Sequence, residues 1–238
     1  MDFIVEELRK QFDDKEVLKG VSYRFTSGKI YGLLGRNGAG KTTFFNCLND
    51  DLAIDGGKFY LEENGAEIKV GVDDIGYVLS VPEVPSFLTG REFLQFFVDI
   101  NQERIGKVQD LDAYFDIVGI KAEDRDLLLR DYSHGMKSKM QMLVNIIAKP
   151  KLLFLDEPLT SLDVVAAEEM KNVLRKQKQD CIIILSTHIM DLALSLCDEI
   201  VLLHNGVLSL VSDVDENGET VANQTLKEKI IEALKESE

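Results

Sequence analysis

An α/β fold with a mostly parallel sheet and flanking helices, an antiparallel β portion, and an all-helical insertion in its middle is predicted by three observations. A glycine-rich turn, GRNGAGKTT from Gly35 to Thr43, joins an apolar run (Ile30 to Leu34) to a helix-permissive run that begins at Lys41. A second apolar run, Leu152 to Leu155, ends on the acids Asp156 and Glu157, as a strand buried on both faces of a sheet would. Between the two, from Thr89 to about Ala148, the pattern is helical, and strand–helix alternation resumes after it.

Composition sets the outer bounds. A chain of 238 residues holds one large α/β domain or two small ones. Hydrophobic residues at 45% and charged residues at 29% match an ordinary globular protein and argue against disorder. A formal net charge of -15 argues against a nucleic-acid partner, which clustered Lys and Arg would hold. Cys47, Cys181 and Cys197 sit in apolar surroundings without a C-x-x-C pair or metal-ligand spacing, so they read as reduced core thiols. MDFIVEELRK lacks the basic and apolar regions of a secretion signal. Apolar runs such as Cys181 to Leu185 fall well short of the roughly 20 residues that span a bilayer. A cytosolic protein is expected, with any membrane association made through a partner.

Taken in order, Phe3 to Phe25 is rich in Val, Ile, Tyr and Phe in partly alternating groups, which predicts strands broken at Asp13-Asp14 and at Ser27-Gly28. After the glycine-rich turn a helix runs through Phe44, Phe45 and Leu48 to about Asn49-Asp50-Asp51. Gly56 to Val72 reads as short strands with turns at Gly56-Gly57 and Asn64-Gly65. Ile75 to Leu79 is a buried strand closed by Pro82 and Pro85. Thr89 with Glu92 forms a capping box, followed by Phe93, Phe96, Phe97 and Ile100 on one helical face. Helices follow near Leu111 to Val118 and from Gly135 to Ile147. Then come the strand Leu152 to Leu155, a helix at Val164 to Gln177, the strand Cys181 to Ser186, and a helix at Ile189 to Cys197. The strand Glu199 to Leu203 and a terminal helix from about Gln224 complete the chain.

The glycine-rich turn fits the P-loop pattern G-x-x-x-x-G-K-[ST] in the strand–turn–helix context that the pattern requires. Gly35, Gly38 and Gly40 can take backbone angles closed to other residues, so N–H groups of the run, Asn37, Ala39 and Thr43 included, can face inward on phosphate oxygens at a helix start. Lys41 then reaches the β- and γ-phosphates, and the Thr42 hydroxyl ligates the accompanying magnesium. Asp156 at a strand tip fits a magnesium-holding acid, and Glu157 beside it a general base for water. Paired acids after a strand are also common as a solvated turn. His188, at the end of a buried strand, reads as a structural cap or as a γ-phosphate contact, and Phe12 as an apolar strand residue.

GRNGAGKTT, YSHGM (Tyr132 to Met136), LLFLDEP (Leu152 to Pro158), SLD (Ser161 to Asp163) and His188, in that order, resemble the nucleotide-binding subunit of an ABC transporter over about Phe3 to Leu210. The resemblance implies one domain over residues 1–238: a P-loop NTPase core with its β subdomain over about 1–84 and 149–238, and a helical subdomain over about 85–148 that docks on a membrane permease. It implies two subunits sandwiching two ATP molecules head to tail, with Mg2+, a homodimer being reasonable because Glu157 and His188 are both present. It assigns Phe12 to stacking on adenine, Lys41 to the phosphates, Thr42 and Asp156 to magnesium, Glu157 to the water and His188 to the γ-phosphate. YSHGM stands where the family has LSGGQ. Ser133 and Gly135 keep the residue types that cap the partner's γ-phosphate, while Tyr132, His134 and Met136 depart, a form resembling exporter-type members with separate permeases. Ser133 also suits a plain helix N-cap. Asp163 would communicate across the dimer. The family's glutamine after the strand Ile75 to Leu79 is replaced by Ser80, whose hydroxyl sits too near Cα to ligate the metal directly and would reach it through a water.

An ATPase powering an exporter on the cytoplasmic face of a membrane is therefore expected. The alternative is a soluble ABC-type ATPase acting on nucleic acid or ribosomes, which acidity and the lack of a second such domain disfavour. A small-molecule kinase would need neither the YSHGM segment nor Glu157.

Overall fold

The structure, a computed structural model, describes residues 1–106, 110–211 and 227–232. In chain order they form β1 (Asp2–Phe12), β2 (Lys15–Thr26), β3 (Ile30–Leu34), α1 (Lys41–Leu48), β4 (Gly56–Glu63), β5 (Ala66–Ile68) and β6 (Ile75–Val78). Next come α2 (Gly90–Ile100), α3 (Gln102–Ile105), α4 (Leu111–Ile117), α5 (His134–Ile147), β7 (Leu152–Asp156) and α6 (Val164–Gln177). β8 (Ile182–Thr187), α7 (Met190–Leu196), β9 (Glu199–His204) and β10 (Val207–Val211) follow. Residues 227–232 are helical, and the expected helix start at Gln224 lies outside the described residues. Parallel and antiparallel strands with helices make the mixed α/β architecture that the sequence predicts. The chain divides into two compact units, residues 1–72 with 182–238, and residues 73–181.

The first unit contains an antiparallel sheet in the order β2-β1-β4-β5. Asp13 takes a left-handed φ of 48° in the turn between β1 and β2, and Asn64 and Gly65 (φ 52° and 79°) make the tight hairpin between β4 and β5. The turn expected at Gly56-Gly57 is instead the start of β4. It pairs with β1 at a bulge between Glu6 and Arg9, where a Cβ on Gly57 would stand 2.4 Å from the Glu6 carbonyl oxygen. Close backbone approach, not a reversal, is why glycine stands there. The rings of Phe3, Phe25 and Tyr31 pack behind this sheet, with centroids 5.9 and 5.0 Å apart along that series.

In the same unit β3 runs parallel to both β8 and β9, and β10 closes on β9 through Asn205-Gly206. All five residues of β3 and all six of β8 are buried, which explains their unbroken apolar runs. Leu34, Ala193, Ile200, Leu202 and Ile230 form one cluster beneath these strands. Cys47 and Cys197 belong to this unit, and Cys181 to the other. No disulfide joins them, and burial pushes the thiols up to about 11 for Cys47 and about 12 for Cys181 and Cys197. Cys47 and Cys181 are buried as core thiols, whereas Cys197 is half-buried against the cluster around Leu34.

The second unit pairs β6 with β7 in parallel, Val78 opposite Leu155, and gathers α2 to α6 around them. The Thr89–Glu92 capping box starts α2, but the buried side of that helix is not the aromatic one. Leu94 and Val98 enter the core, whereas Phe96 and Ile100 remain 57% and 62% exposed. Two apolar stripes lie on this helix, and the smaller side chains were the ones that packed. Arg125, nearly buried, pairs with Asp112 (3.0 Å) and Asp116, and Arg91 reaches Asp112 (2.9 Å) and Asp126 (2.9 Å). The Arg125 and Arg91 guanidiniums hold the Asp112 carboxyl below its usual range. This ionic cluster ties α2 to α4. Among the described residues no helix is long and apolar enough to cross a membrane.

Candidate functional site

In the first unit, β3 delivers the chain into Gly35 between the ends of its two parallel neighbours. Leu34 lies opposite Thr187 of β8 and Leu202 of β9, so Gly35 and His188, which follow β3 and β8, and the last residues of β9, Leu203 and His204, reach one edge. That edge, beyond the carboxyl ends of parallel strands, is where α/β folds hold ligands. A Cβ on Gly35 would meet the Leu203 carbonyl at 2.7 Å, so the loop leaves the sheet through a gap too narrow for a side chain.

The loop then turns on Gly38 (φ 81°) and Gly40 (φ 103°), the latter at the N-cap of α1. No side-chain hydrogen bond caps α1 and no acid occupies its first turn, so no carboxylate of that turn offsets the positive end of the helix dipole. Lys41 is 8% exposed, and its Nζ donates to the carbonyls of Gly35 (2.7 Å) and Arg36 (3.3 Å). The lysine thus holds the loop curled. A cleft of about 370 Å3 opens beside it, lined by Arg36 to Ala39, by Lys15, Val17 and Lys19 of β2, and by Leu203 to Gly206. Glu16 adds an acid to this lining, and Lys41 and Thr42 are not part of it. Phe12, 42% exposed at the end of β1 with Lys10 Nζ 5.3 Å from its ring centroid, is not among the lining residues. His188 is exposed just past β8, where the Thr187 hydroxyl accepts from Ile189 N (3.0 Å).

The second unit carries the acids. β7 is buried along all five residues and ends on Asp156, itself 3% exposed. Glu157 follows with φ 51°, a left-handed angle rare for a residue with a side chain. Its carbonyl accepts from the Thr160 hydroxyl (2.9 Å), which closes the turn. Strain of this kind, on the order of 1–3 kcal/mol, concentrates at functional sites. Ser80, exposed two residues beyond β6, lies at the same edge of the β6–β7 pair as these acids.

YSHGM opens α5, a helix of 14 residues. The Ser133 hydroxyl accepts from Met136 N (3.2 Å), so the N-cap reading holds as geometry. Gly135 presses on the next loop, since its Cβ would stand 3.0 Å from the Ser161 carbonyl, and the Ser138 and Ser161 hydroxyls meet at 3.0 Å. Asp163 caps α6 by accepting from Ala166 N (2.9 Å) and Val165 N (3.0 Å), bonds that lower its pKa. Ser133, Gly135 and Asp163 thereby line one cleft of about 420 Å3, joined by Lys121 and Lys139.

Some of this was outside sequence reasoning. The β2 residues beside the loop and the two lysines beside YSHGM carry no motif. Only the hairpin preceding the P-loop hinted at the former. Among the described residues no three His, Cys, Asp or Glu side chains gather as a self-contained metal site.

Comparison with known proteins adds a family. A sequence profile described as ABC transporter matches residues 18–160. The chain is 32% identical to the Uncharacterized ABC transporter ATP-binding protein YxlF of Bacillus subtilis (strain 168), covering 89% of this chain and 71% of that one. It is also 32% identical to the Bacitracin transport ATP-binding protein BcrA of Enterococcus faecalis, over 87% and 68% of the two chains. Among solved structures, one titled "Structure of ATP binding subunit of ABC transporter" superposes with a TM-score of 0.78 at 23% identity, covering 97% of this chain and all of that one. A dimeric ATP-binding cassette in a post-hydrolysis state, bound to ADP and Pi, does so at 0.74 and 15%, covering 88% and 99% of the two chains.

Proposed function

The chain belongs to the ABC transporter family as an ATP-binding, ATP-hydrolysing subunit, and on that premise we propose that it powers export through a separate membrane permease. Two copies would clasp two ATP molecules head to tail, on the cytoplasmic face of the membrane. The observation that carries this reading is the convergence of Ser133, Gly135 and Asp163 on one cleft at the start of a long helix without acids in its first turn. Such a cleft suits the terminal phosphate of a nucleotide presented by a second subunit.

Within each composite site the roles divide by chemistry. The N–H groups of Gly35 to Thr43, with Lys41, take the phosphates, and Phe12 offers an exposed ring for adenine. Thr42 and Asp156 are the residues that would hold magnesium, with Ser80 too short to ligate it directly, and the ion would supply charge screening of the phosphates. Glu157 accepts the proton of the attacking water. His188 donates to the γ-phosphate, and Ser133 and Gly135 cap it from the other subunit, with Asp163 at the seam.

Permease docking is supported by large apolar side chains left open on the second unit: Val81, Phe87, Phe96 and Ile100 are each more than half exposed. A groove of about 580 Å3 beside Phe96, lined by Glu92, Asp99 and Asp126 with Arg91, suits a partner segment of mixed apolar and basic character. Export rests on the YSHGM form. Affinity purification of the tagged chain from detergent-solubilised membranes should recover a multi-span protein in stoichiometric amount. Recovery of ribosomes or nucleic acid alone would overturn the reading.

A further inference from the structure

The segment leading into Ser133 is fastened to α2 before it arrives. Leu129 N donates to the Leu88 carbonyl (2.8 Å) and Arg130 N to that of Ser86 (3.2 Å), while Gly90 N and Arg91 N donate to Leu127 (3.2 Å) and Arg125 (2.8 Å). Thr89 and Leu128 form an antiparallel bridge at the centre of this ladder. These backbone bonds end at Arg130, short of Ser133. The remaining contact is made by a side chain.

That side chain is Tyr132, 3% exposed, whose phenol oxygen lies 2.1 Å from the point a Cβ on Gly90 would occupy, with ring Cζ at 3.0 Å. Real Cβ atoms do not come so close, so only glycine in the first turn of α2 admits this phenol. Among the described residues the phenol oxygen is buried without a hydrogen-bond partner. An unmet buried hydroxyl destabilises a fold relative to an apolar group of the same shape, so the hydroxyl is held by shape and not by a polar bond. Burial also pushes its pKa up to about 12, which keeps it neutral.

We propose that Tyr132 is a positioning residue for Ser133: its phenol, seated against Gly90, sets where α5 begins relative to the first turn of α2. Motion of α2, the helix that leaves Phe96 and Ile100 exposed for a partner, is passed through this contact to the Ser133 hydroxyl. The inference rests on the reading above, in which Ser133 meets nucleotide held by a partner subunit. It adds a route by which permease contact regulates that meeting.

The test is a double-substitution cycle on the full chain with Gly90→Ala, Tyr132→Leu and the pair combined, reading kcat, KM and the affinity of the isolated chain for a fluorescent ATP analogue. Gly90→Ala should lower kcat about tenfold or more while that affinity stays within about twofold. Adding Tyr132→Leu should return kcat to within about twofold of Tyr132→Leu alone, because leucine has no atom where the phenol oxygen stood; contacting residues are where such non-additivity appears. A double variant as impaired as Gly90→Ala, or a Gly90→Ala chain at the wild-type kcat, overturns the proposal. Should Gly90→Ala not fold, Tyr132→Leu decides alone: a several-fold lower kcat at unchanged nucleotide affinity is expected, and a wild-type kcat overturns it. Ser133→Arg in a Glu157→Gln background separates the two levels of inference. If Ser133→Arg leaves ATP-dependent dimerisation intact, the underlying reading fails; if it abolishes dimerisation and Gly90→Ala in the otherwise wild-type chain leaves kcat unchanged, only the Tyr132 role fails.

Discussion

The loop that opens α1 and the corner that opens α5 both present a helix start to an anion, and they are built in opposite ways. The α1 start takes its hydrogen bonds from its own stretch of chain: Gly40 at φ 103° supplies the N-cap without a side-chain bond, and Lys41 ties back to Gly35 and Arg36, while Leu203 and Val17 stand against Gly35 and Gly40 as steric walls. The α5 start uses a side-chain cap, Ser133, and is fixed by residues remote in sequence, Gly90 beneath Tyr132 and Ser161 against Gly135 and Ser138. A loop tied within its own stretch keeps its shape without a hydrogen bond from a distant segment. A corner held from elsewhere can be moved from elsewhere. Damage to the first should therefore appear as lost nucleotide affinity in a single chain, and damage to the second as lost turnover with affinity kept.

The largest effect expected on the turnover side is at Glu157. Glu157→Gln removes the base, so turnover should fall by on the order of 10² to 10⁴, the usual worth of one general base, with ATP still bound. The amide also removes charge repulsion against the γ-phosphate, so ATP should hold the dimer on size-exclusion chromatography. A variant that hydrolyses at the wild-type rate, or that stays monomeric with ATP, contradicts the assignment.

On the affinity side the comparison turns on two glycines. Gly40→Ala forces a side chain to φ 103° and brings its Cβ to 2.8 Å from Val17 Cγ1. Strain of about 1–3 kcal/mol corresponds to a loss of roughly 5- to 150-fold in nucleotide affinity of the isolated chain. Gly135 has no left-handed angle to satisfy, and its Cβ would stand 3.0 Å from the Ser161 carbonyl. Gly135→Ala should leave that affinity unchanged and lower kcat. Equal loss of affinity in both variants, by isothermal titration, would erase the distinction between the two helix starts.

Mixing tests whether the corner serves the other subunit's loop. Ser133→Arg and Lys41→Ala subunits, each inactive alone, place both lesions in one composite site and leave the second intact. Activity should return to at most about half of wild type per heterodimer, from the count of intact sites, if those sites fire independently. A mixture as inactive as its parents, with heterodimer formation demonstrated, argues against action in trans.

What the sequence disclosed follows the same division. GRNGAGKTT, the capping box at Thr89 and the Asn-Gly hairpins are local signals, and each element stands within a residue or two of its expected bounds. Contacts between distant segments left weaker traces. The sequence put Phe93, Phe96, Phe97 and Ile100 on one face of α2, but nothing local tells which of two apolar stripes the core will take, and Leu94 with Val98 took it. Gly56-Gly57 looked like a turn because a bulge pressed against β1 uses the same residue. The departure of Tyr132 from the family pattern was visible, but its partner Gly90 was hidden, since a glycine in the first turn of a helix has no motif.

The smallest effect concerns Ser80, where the second unit lacks the longer side chain its family uses. Ser80 is exposed at the edge of the β6–β7 pair, and its hydroxyl is carried one carbon from Cα, against an amide oxygen two carbons farther out in glutamine. A bridging water replaces direct ligation at little energetic cost, so magnesium affinity should be nearly normal and the basal ATPase measurable without a permease. What the water cannot supply is a stiff link, because it breaks and reforms as the strand end moves. Ser80→Gln exchanges that bridge for one direct bond, worth about 0.5–1.5 kcal/mol, so a change of roughly two- to tenfold is the most it can produce. If the metal site alone is limiting, the change should appear in the magnesium concentration needed for half-maximal rate. If coupling is limiting, it should appear as greater stimulation by the permease at saturating magnesium. Each result locates the slack at a different end of the same segment. A structure with ATP and magnesium that placed the Ser80 hydroxyl in the metal's inner coordination sphere would remove the premise of a loose link.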